Sequence, residues 1–298
     1  TFYGCISLTS ITIPKGVTSI GDSAFFDCSS LMSITIPNGV TSIGDSAFYN
    51  CSSLMDIIIP EGVTSIGNQV FCGCNNLISV VISESVTSIG TSAFSGCSSL
   101  MDITIPKSLI IIGEYAFYSC SSLTSITIPN GVTTIGEYAF YSCNSLTSIT
   151  IPDGITNVGD YTFNNCSGLM SIVISANINS IGKNAFLGCN NLCQVINNSN
   201  IQLTIGSESN GYLAYYAKII IDKDGNKTYL DENSGFELTD TQDGFCFMRE
   251  KTNAPYKLIA YTGSDDFVTL PLEFNGQGYD IYEMRGVKNV IIPNGMIK

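Results

Sequence analysis

The octapeptide GEYAFYSC fills residues 113–120 and returns, letter for letter, at residues 136–143, 23 positions on. The step extends well beyond this pair. Leucine recurs from Leu8 to Leu192, phenylalanine from Phe2 to Phe186 and cysteine from Cys5 to Cys189, nine times each and always 23 apart. Eight full repeats lie between Leu8 and Asn191, as in LMSITIPNGVTSIGDSAFYNCSS at 31–53. A fixed period in the range of roughly 20–50 residues marks a chain built by stacking one small unit on the next.

Each place in the repeat has a physical reason. In LTSITIP (123–129), Ile126 and Ile128 alternate with polar residues, the pattern of a strand with one buried face. Pro129 lacks an N–H and ends the ladder there; six of the nine prolines stand in this column, which makes the stop a design feature of the coil. GVTTIG (131–136) then turns the chain into a second short extended run, with Val132 and Ile135 facing inward. EYAFYSC is too short for a stable helix and reads as one helical turn, plugged by Ala139 and Phe140. One such coil cannot bury its apolar residues alone. Stacked in register at about 4.8 Å per coil, eight coils make a rod or gentle arc of roughly 40 Å with parallel strands and a continuous core.

Composition sets the limits on function. The chain has 298 residues, is 44% hydrophobic and 12% charged, and carries a net charge of −13. Such acidity argues against nucleic acid, which requires a basic face, and against docking on an anionic membrane surface. No run approaches the ~20 apolar residues of a spanning helix. Histidine is absent, and with it the Ser-His-Asp and Cys-His arrangements and the commonest zinc ligand. Twelve cysteines invite a disulfide framework, yet nine of them share one phase of the coil, face the same way and are odd in number. Buried free thiols, behaving as small hydrophobes, fit that column better. Cys72, Cys193 and Cys246 stand off it; Cys72 and Cys74 form a C-x-C pair without a second pair, a weak metal signal. No cofactor or metal is expected.

The repeat resembles the BspA-like leucine-rich repeats, also described as the Treponema pallidum type, over residues 1 to about 196. The resemblance implies a right-handed leucine-rich repeat superhelix on a secreted or cell-surface protein. Some members are adhesins for host matrix proteins such as fibronectin and fibrinogen, or mediate contact between bacteria. The family shares no catalytic residues, so none is carried over, and a non-enzymatic interaction module is the expectation.

After Leu192 the register decays. Residues 1–196 hold 3 basic and 11 acidic side chains; the remainder hold 9 and 14. NGYLAYYA (210–217) reads as a short helix and KIIIDKDGNKTYL (218–230) as a hairpin turning on Asp224-Gly225. GFCFMRE, YKLIAYTG, DFVTLPLEF and YDIYE follow as strands of a small antiparallel β-rich module. A calcium loop at DKDGN, with Asp231 and Glu232 downstream, has its glycine too early for an EF-hand. Ile292-Pro293-Asn294-Gly295 copies Ile36-Pro37-Asn38-Gly39, as if a further repeat begins. The expected partition is therefore a solenoid over 1–207, a β-rich module over 208–284 and the start of another repeat over 285–298.

Most outward positions of the repeat are Ser or Thr. Tyr115, Tyr138 and Tyr161 form one departing column and Tyr118 and Tyr141 a second, with Glu114, Glu137 and Asp160 beside them. Tyrosine gives large amphipathic contact area at low entropic cost, and aromatic faces suit sugar rings. These eight residues are the candidate binding site, for a host matrix or other cell-surface protein or, alternatively, a glycan. Stacked aromatics also stabilise parallel ladders without binding anything. Met32, Met55, Met101 and Met170 make a further column, assigned to packing against adjoining coils, and Ile110–Ile111 replace polar residues as an isolated apolar spot.

Overall fold

The computed structural model describes residues 2–229 and, beyond them, 236–238, 245–250, 256–261, 267–271, 279–281 and 289–291. The 23-residue coils stack in register. On one wall Ser10–Thr12 pairs in parallel with Ser33–Thr35, Asp56–Ile59 with Ser79–Ile82, and Ser148–Thr150 with Ser171–Ile174 and then Gln194–Asn197. A second wall is built from the VTSI segments, with Ser65–Ile66, Ser88–Ile89, Ile111–Ile112 and Thr134–Ile135 forming one continuous ladder. Each column keeps its phase because a slip of one residue would turn the buried isoleucines to solvent.

The third wall is the EYAFYSC segment, where a helical turn was expected. It is instead a ladder of tight turns. In residues 113–120 the N–H groups of Ala116, Tyr118 and Cys120 bond back to the carbonyls of Gly113, Tyr115 and Phe117. Those of Tyr115, Phe117 and Ser119 bond forward to Glu137, Ala139 and Tyr141 of the next coil. Alternate amides thus serve the coil and the stack. A helix would direct all of them along its own axis and leave neighbouring coils unjoined. The alternation requires two left-handed residues per coil, at Tyr115 (φ 55°) and Ser119 (φ 55°) here and at Gln69 and Gly73 (φ 54° and 75°) two coils earlier.

The core lies between the three walls. From Phe2 to Phe186 the rings stack with centroids 5.3–5.5 Å apart and planes within 13°. Beside them runs a ladder of thiols. From Cys28 to Cys189 each Sγ donates to the carbonyl oxygen of the phenylalanine 26 residues earlier, over 3.0–3.3 Å. The thiol must keep its proton to make that bond, and burial ensures it does: desolvation pushes Cys51 and Cys166 up to about 12 and raises Cys74, Cys97, Cys120, Cys143 and Cys189 as well. These cysteines form no disulfide. Among the described residues no group of three potential ligands is placed to hold a metal, and Cys74 faces the core while Cys72 is half-buried on the outer side.

The first wall is not one continuous ladder: Ser33–Thr35 and Asp56–Ile59 belong to separate sheets, and the widest lapse comes two coils further on. Between Asp102–Ile105 and Ser125–Ile128 the strand ladder lapses, leaving a shallow cleft of about 630 Å³. The coils are still tied on either side of it, where the Thr124 N–H donates to the Met101 carbonyl at 3.1 Å and the Thr133 N–H to the Ile110 carbonyl at 2.9 Å. The second wall and the turn ladder run unbroken behind it.

Beyond the regular repeats, Ile219–Asp222 pairs in parallel with Gln194–Asn197, 25 residues on rather than 23, so this strand extends the solenoid sheet. It turns back antiparallel into Lys227–Tyr229. The turn is a three-residue loop, Lys223–Gly225, with Gly225 left-handed at φ 81°, and not the two-residue turn expected. The Asp222 carboxylate organises it, accepting from the Asn226 side chain and from the backbone of Asp224 and Asn226, which together lower its pKa. Where a short helix was expected over 210–217 there is a single 3-10 turn at Asn210–Tyr212, followed by turns that place Leu213 in the core. Phe236–Leu238, Phe245–Glu250 and Tyr256–Tyr261 form the expected antiparallel meander. Tyr256–Leu258 then pairs in parallel with Tyr279–Ile281, 23 residues on, so the solenoid step returns here. Asp231, Glu232, the Cys246 side chain and residues 292–295 lie outside the described residues.

Candidate functional site

The turn ladder positions the tyrosines. Tyr115, Tyr138 and Tyr161 occupy the first left-handed place of their coils, at φ 55°, 57° and 55°. Other coils put Ser23, Ser46, Gln69, Ser92 and Asn184 there. A left-handed backbone costs about 1–2 kcal/mol for a residue with a Cβ, and asparagine tolerates it better than a bulky ring. Three tyrosines in succession at such a place are therefore not chosen by the backbone. The rings stack instead: Tyr138 lies 4.7 Å from Tyr115 and 4.7 Å from Tyr161, with planes within 7°. Tyr118 and Tyr141 stack at 4.9 Å, and the two columns meet at a tilt, Tyr115 to Tyr118 at 5.7 Å and Tyr138 to Tyr141 at 5.8 Å. All five rings are half-buried. The structure thus joins them into one aromatic plate across three coils.

Stacking decides what the plate can offer. Both faces of Tyr138 are covered, so this ring presents its edge and its hydroxyl. Crowding by the protein, by the neighbouring phenols of Tyr115 and Tyr161 and by Glu137 and Asp160 raises the Tyr138 pKa, which keeps the hydroxyl a donor. The Tyr141 hydroxyl accepts from the Asn165 side chain at 3.2 Å. The carboxylates separate into two kinds. Asp160 is tied down, accepting the Lys183 backbone N–H at 2.7 Å, as Asp22 does for Asp45 and Asp45 for Asn68. Glu114 and Glu137 are exposed.

The plate has a counterpart that column-by-column reading of the tyrosines missed. Tyr3, Phe26 and Tyr49 stand at the same phase as Tyr118 and Tyr141 and stack at 4.8 and 4.6 Å. The 23-residue step would have found them had Phe26 been counted with the tyrosines. Between the two stacks the column holds Cys72 and Ser95.

A family model for the BspA type leucine rich repeat region, in six copies, matches residues 1–124 and 110–226. The chain belongs to the BspA-type leucine-rich repeat family. It is similar to a T. pallidum leucine rich repeat protein of known crystal structure, with 32% identity over 62% of this chain and 83% of that one and a TM-score of 0.49. A leucine-rich repeat protein from Bacteroides ovatus matches at 25% identity over 65% and 79%, TM-score 0.35. A leucine rich cell surface protein from Faecalibacterium prausnitzii matches at 26% over 70% and 82%, TM-score 0.28. Comparison with curated proteins gives no match.

Within this BspA-type solenoid the remaining candidates sort by exposure. Met170 is buried, as packing against a neighbouring coil requires, but Met32, Met55 and Met101 are exposed. Ile110 and Ile111 are also exposed, on the second wall. No helix among the described residues is long and apolar enough to cross a membrane.

Proposed function

We propose that this chain is a non-enzymatic, extracellular or cell-surface protein-interaction module, an adhesin that contacts host matrix proteins or other cells through the tyrosine plate. The observation that carries the reading is the plate itself, five rings held together across three coils, three of them at places where the backbone disfavours them. Tyrosines presenting edges and hydroxyls, with Glu114 and Glu137 in water beside them, suit the mixed apolar and hydrogen-bonding contacts of protein partners. The surface location follows the family resemblance. The two glutamates stand on an open wall, not in a cleft that excludes water, which favours binding over acid–base chemistry.

Carbohydrate binding is the second reading. A sugar ring stacks on an aromatic face, and the plate leaves faces without a ring neighbour only at its ends, on Tyr115, Tyr161, Tyr118 and Tyr141. That geometry favours protein over glycan. Immobilised fibronectin and fibrinogen at physiological salt, beside a glycan array, form the test. The variant is Tyr138→Asn/Tyr141→Ser, which uses residues that other coils already place in these columns, Asn184 and Ser95. Matrix binding that the variant loses supports the adhesin reading; glycan binding alone replaces it; matrix binding that survives intact moves the site off the plate.

A further inference from the structure

The three exposed methionines belong to a longer feature at the start of the first wall. Their column continues through Ile78, so that Met32, Met55, Ile78 and Met101 make an unbroken apolar stripe over four coils. Ile58 and Val81 are exposed apolar residues of the same coils, set beyond the exposed column of Asp56 and Ser79, and these six apolar side chains are between 44% and 64% exposed. Thr35 and Thr104 stand in that strand column in the coils before and after, so isoleucine and valine are not demanded by the strand. Along the stripe runs a groove of about 500 Å³, whose other wall is polar, with Ser53 and Asn76. A patch of this kind on a protein surface marks a contact site.

Two features specify the occupant. The stripe repeats at the coil spacing of about 4.8 Å, so its four rungs span about 14 Å. An α-helix laid along the groove presents apolar side chains once per turn, about every 5.4 Å, and three turns cover about 16 Å. Flexible methionines absorb a mismatch of that size. An extended segment would present a side chain to one face only every ~6.7 Å and fall out of step after one rung. The second feature is charge. Asp56 and Asp102 are exposed in the column beside Met55 and Met101, in a repeat region with 3 basic and 11 acidic residues.

We propose that the methionine groove is a docking surface for a basic amphipathic helix of a partner protein. The inference rests on the reading of the chain as an interaction module, but it concerns a different face and does not require the tyrosine plate to bind anything.

The test uses the whole chain and three fluorescein-labelled 16-residue peptides in 150 mM salt, read by anisotropy. One is built of leucine and lysine with leucine at helical spacing, the second has the same composition with leucine and lysine alternating, and the third has glutamate in place of lysine. The helical lysine peptide is expected to bind about tenfold or more tightly than either control. Met55→Ser/Met101→Ser is expected to weaken it about tenfold, while Tyr138→Asn/Tyr141→Ser leaves it unchanged. Equal binding of the alternating peptide, indifference to the methionine variant, or no binding at all overturns the proposal. So does self-association of the free chain, seen by sedimentation and abolished by the methionine variant, because the occupant would then be a second copy. Failure of the parent chain to bind either matrix protein, with helix docking intact, would sink the adhesin reading and leave this one standing.

Discussion

Two aromatic columns run the length of this solenoid with the same 23-residue step, and they differ in continuity. The inner column is phenylalanine at every rung from Phe2 to Phe186, stacked at 5.3–5.5 Å without a gap. The outer column is aromatic at Tyr3, Phe26 and Tyr49, lapses at Cys72 and Ser95, returns at Tyr118 and Tyr141, and lapses again at Asn164. Coils with and without the outer ring have the same turns and the same forward hydrogen bonds. What every coil needs is therefore inside, and what some coils carry outside is surplus to the fold. That surplus is where binding is sought.

The largest expected effect breaks the inner side by titration. The column thiols ionise at about pH 8.5 in an unfolded chain. In the folded chain desolvation holds them protonated, up to about 12 for Cys51 and Cys166. Raising the pH therefore favours the unfolded chain. The stability is whole below about pH 8.5 and falls as the pH climbs toward 12, by about 1.4 kcal/mol per thiol per pH unit. With several thiols acting together the loss reaches the 5–15 kcal/mol typical of a whole domain by about pH 10. Circular dichroism against pH is expected to show cooperative unfolding in that range; a melting temperature that stays flat from pH 8 to 10 would refute the thiol ladder.

A smaller effect comes from one rung. Phe117→Ala empties a buried ring between Phe94 and Phe140 and is expected to cost about 3–5 kcal/mol in urea unfolding. A loss under 1 kcal/mol would mean that the stack closes around the gap and is not the rigid core described.

The period made most of this legible. Columns of leucine, phenylalanine and cysteine located the core, and the alternation in LTSITIP located the first wall. What the period could not reveal was local. Whether EYAFYSC is a helical turn or a turn ladder depends on where its amides bond, and half of them bond to a coil 23 residues away. The exposure of Met32, Met55 and Met101 beside the burial of Met170 follows from what packs over each coil: Met170 lies next to the coil that feeds Ile219–Asp222, where the step has lengthened to 25. Asp160 looked like part of an acidic row, and the fold uses it to hold the Lys183 amide.

The central claim, that the outward rings, those of the Tyr115, Tyr138 and Tyr161 column included, are dispensable to the fold, has one direct measurement: the melting temperature of Tyr115→Asn/Tyr138→Asn/Tyr161→Asn. The variant gives up two stacked and two tilted ring contacts, each of about 0.5–1.5 kcal/mol, and gains in exchange a residue better suited to the left-handed place in three coils. The account predicts a melting temperature within a few degrees of the parent chain and a much smaller shift than Phe117→Ala produces. A collapse as large as that of the inner variant would contradict it, and the tyrosine plate would then be a part of the core turned outward.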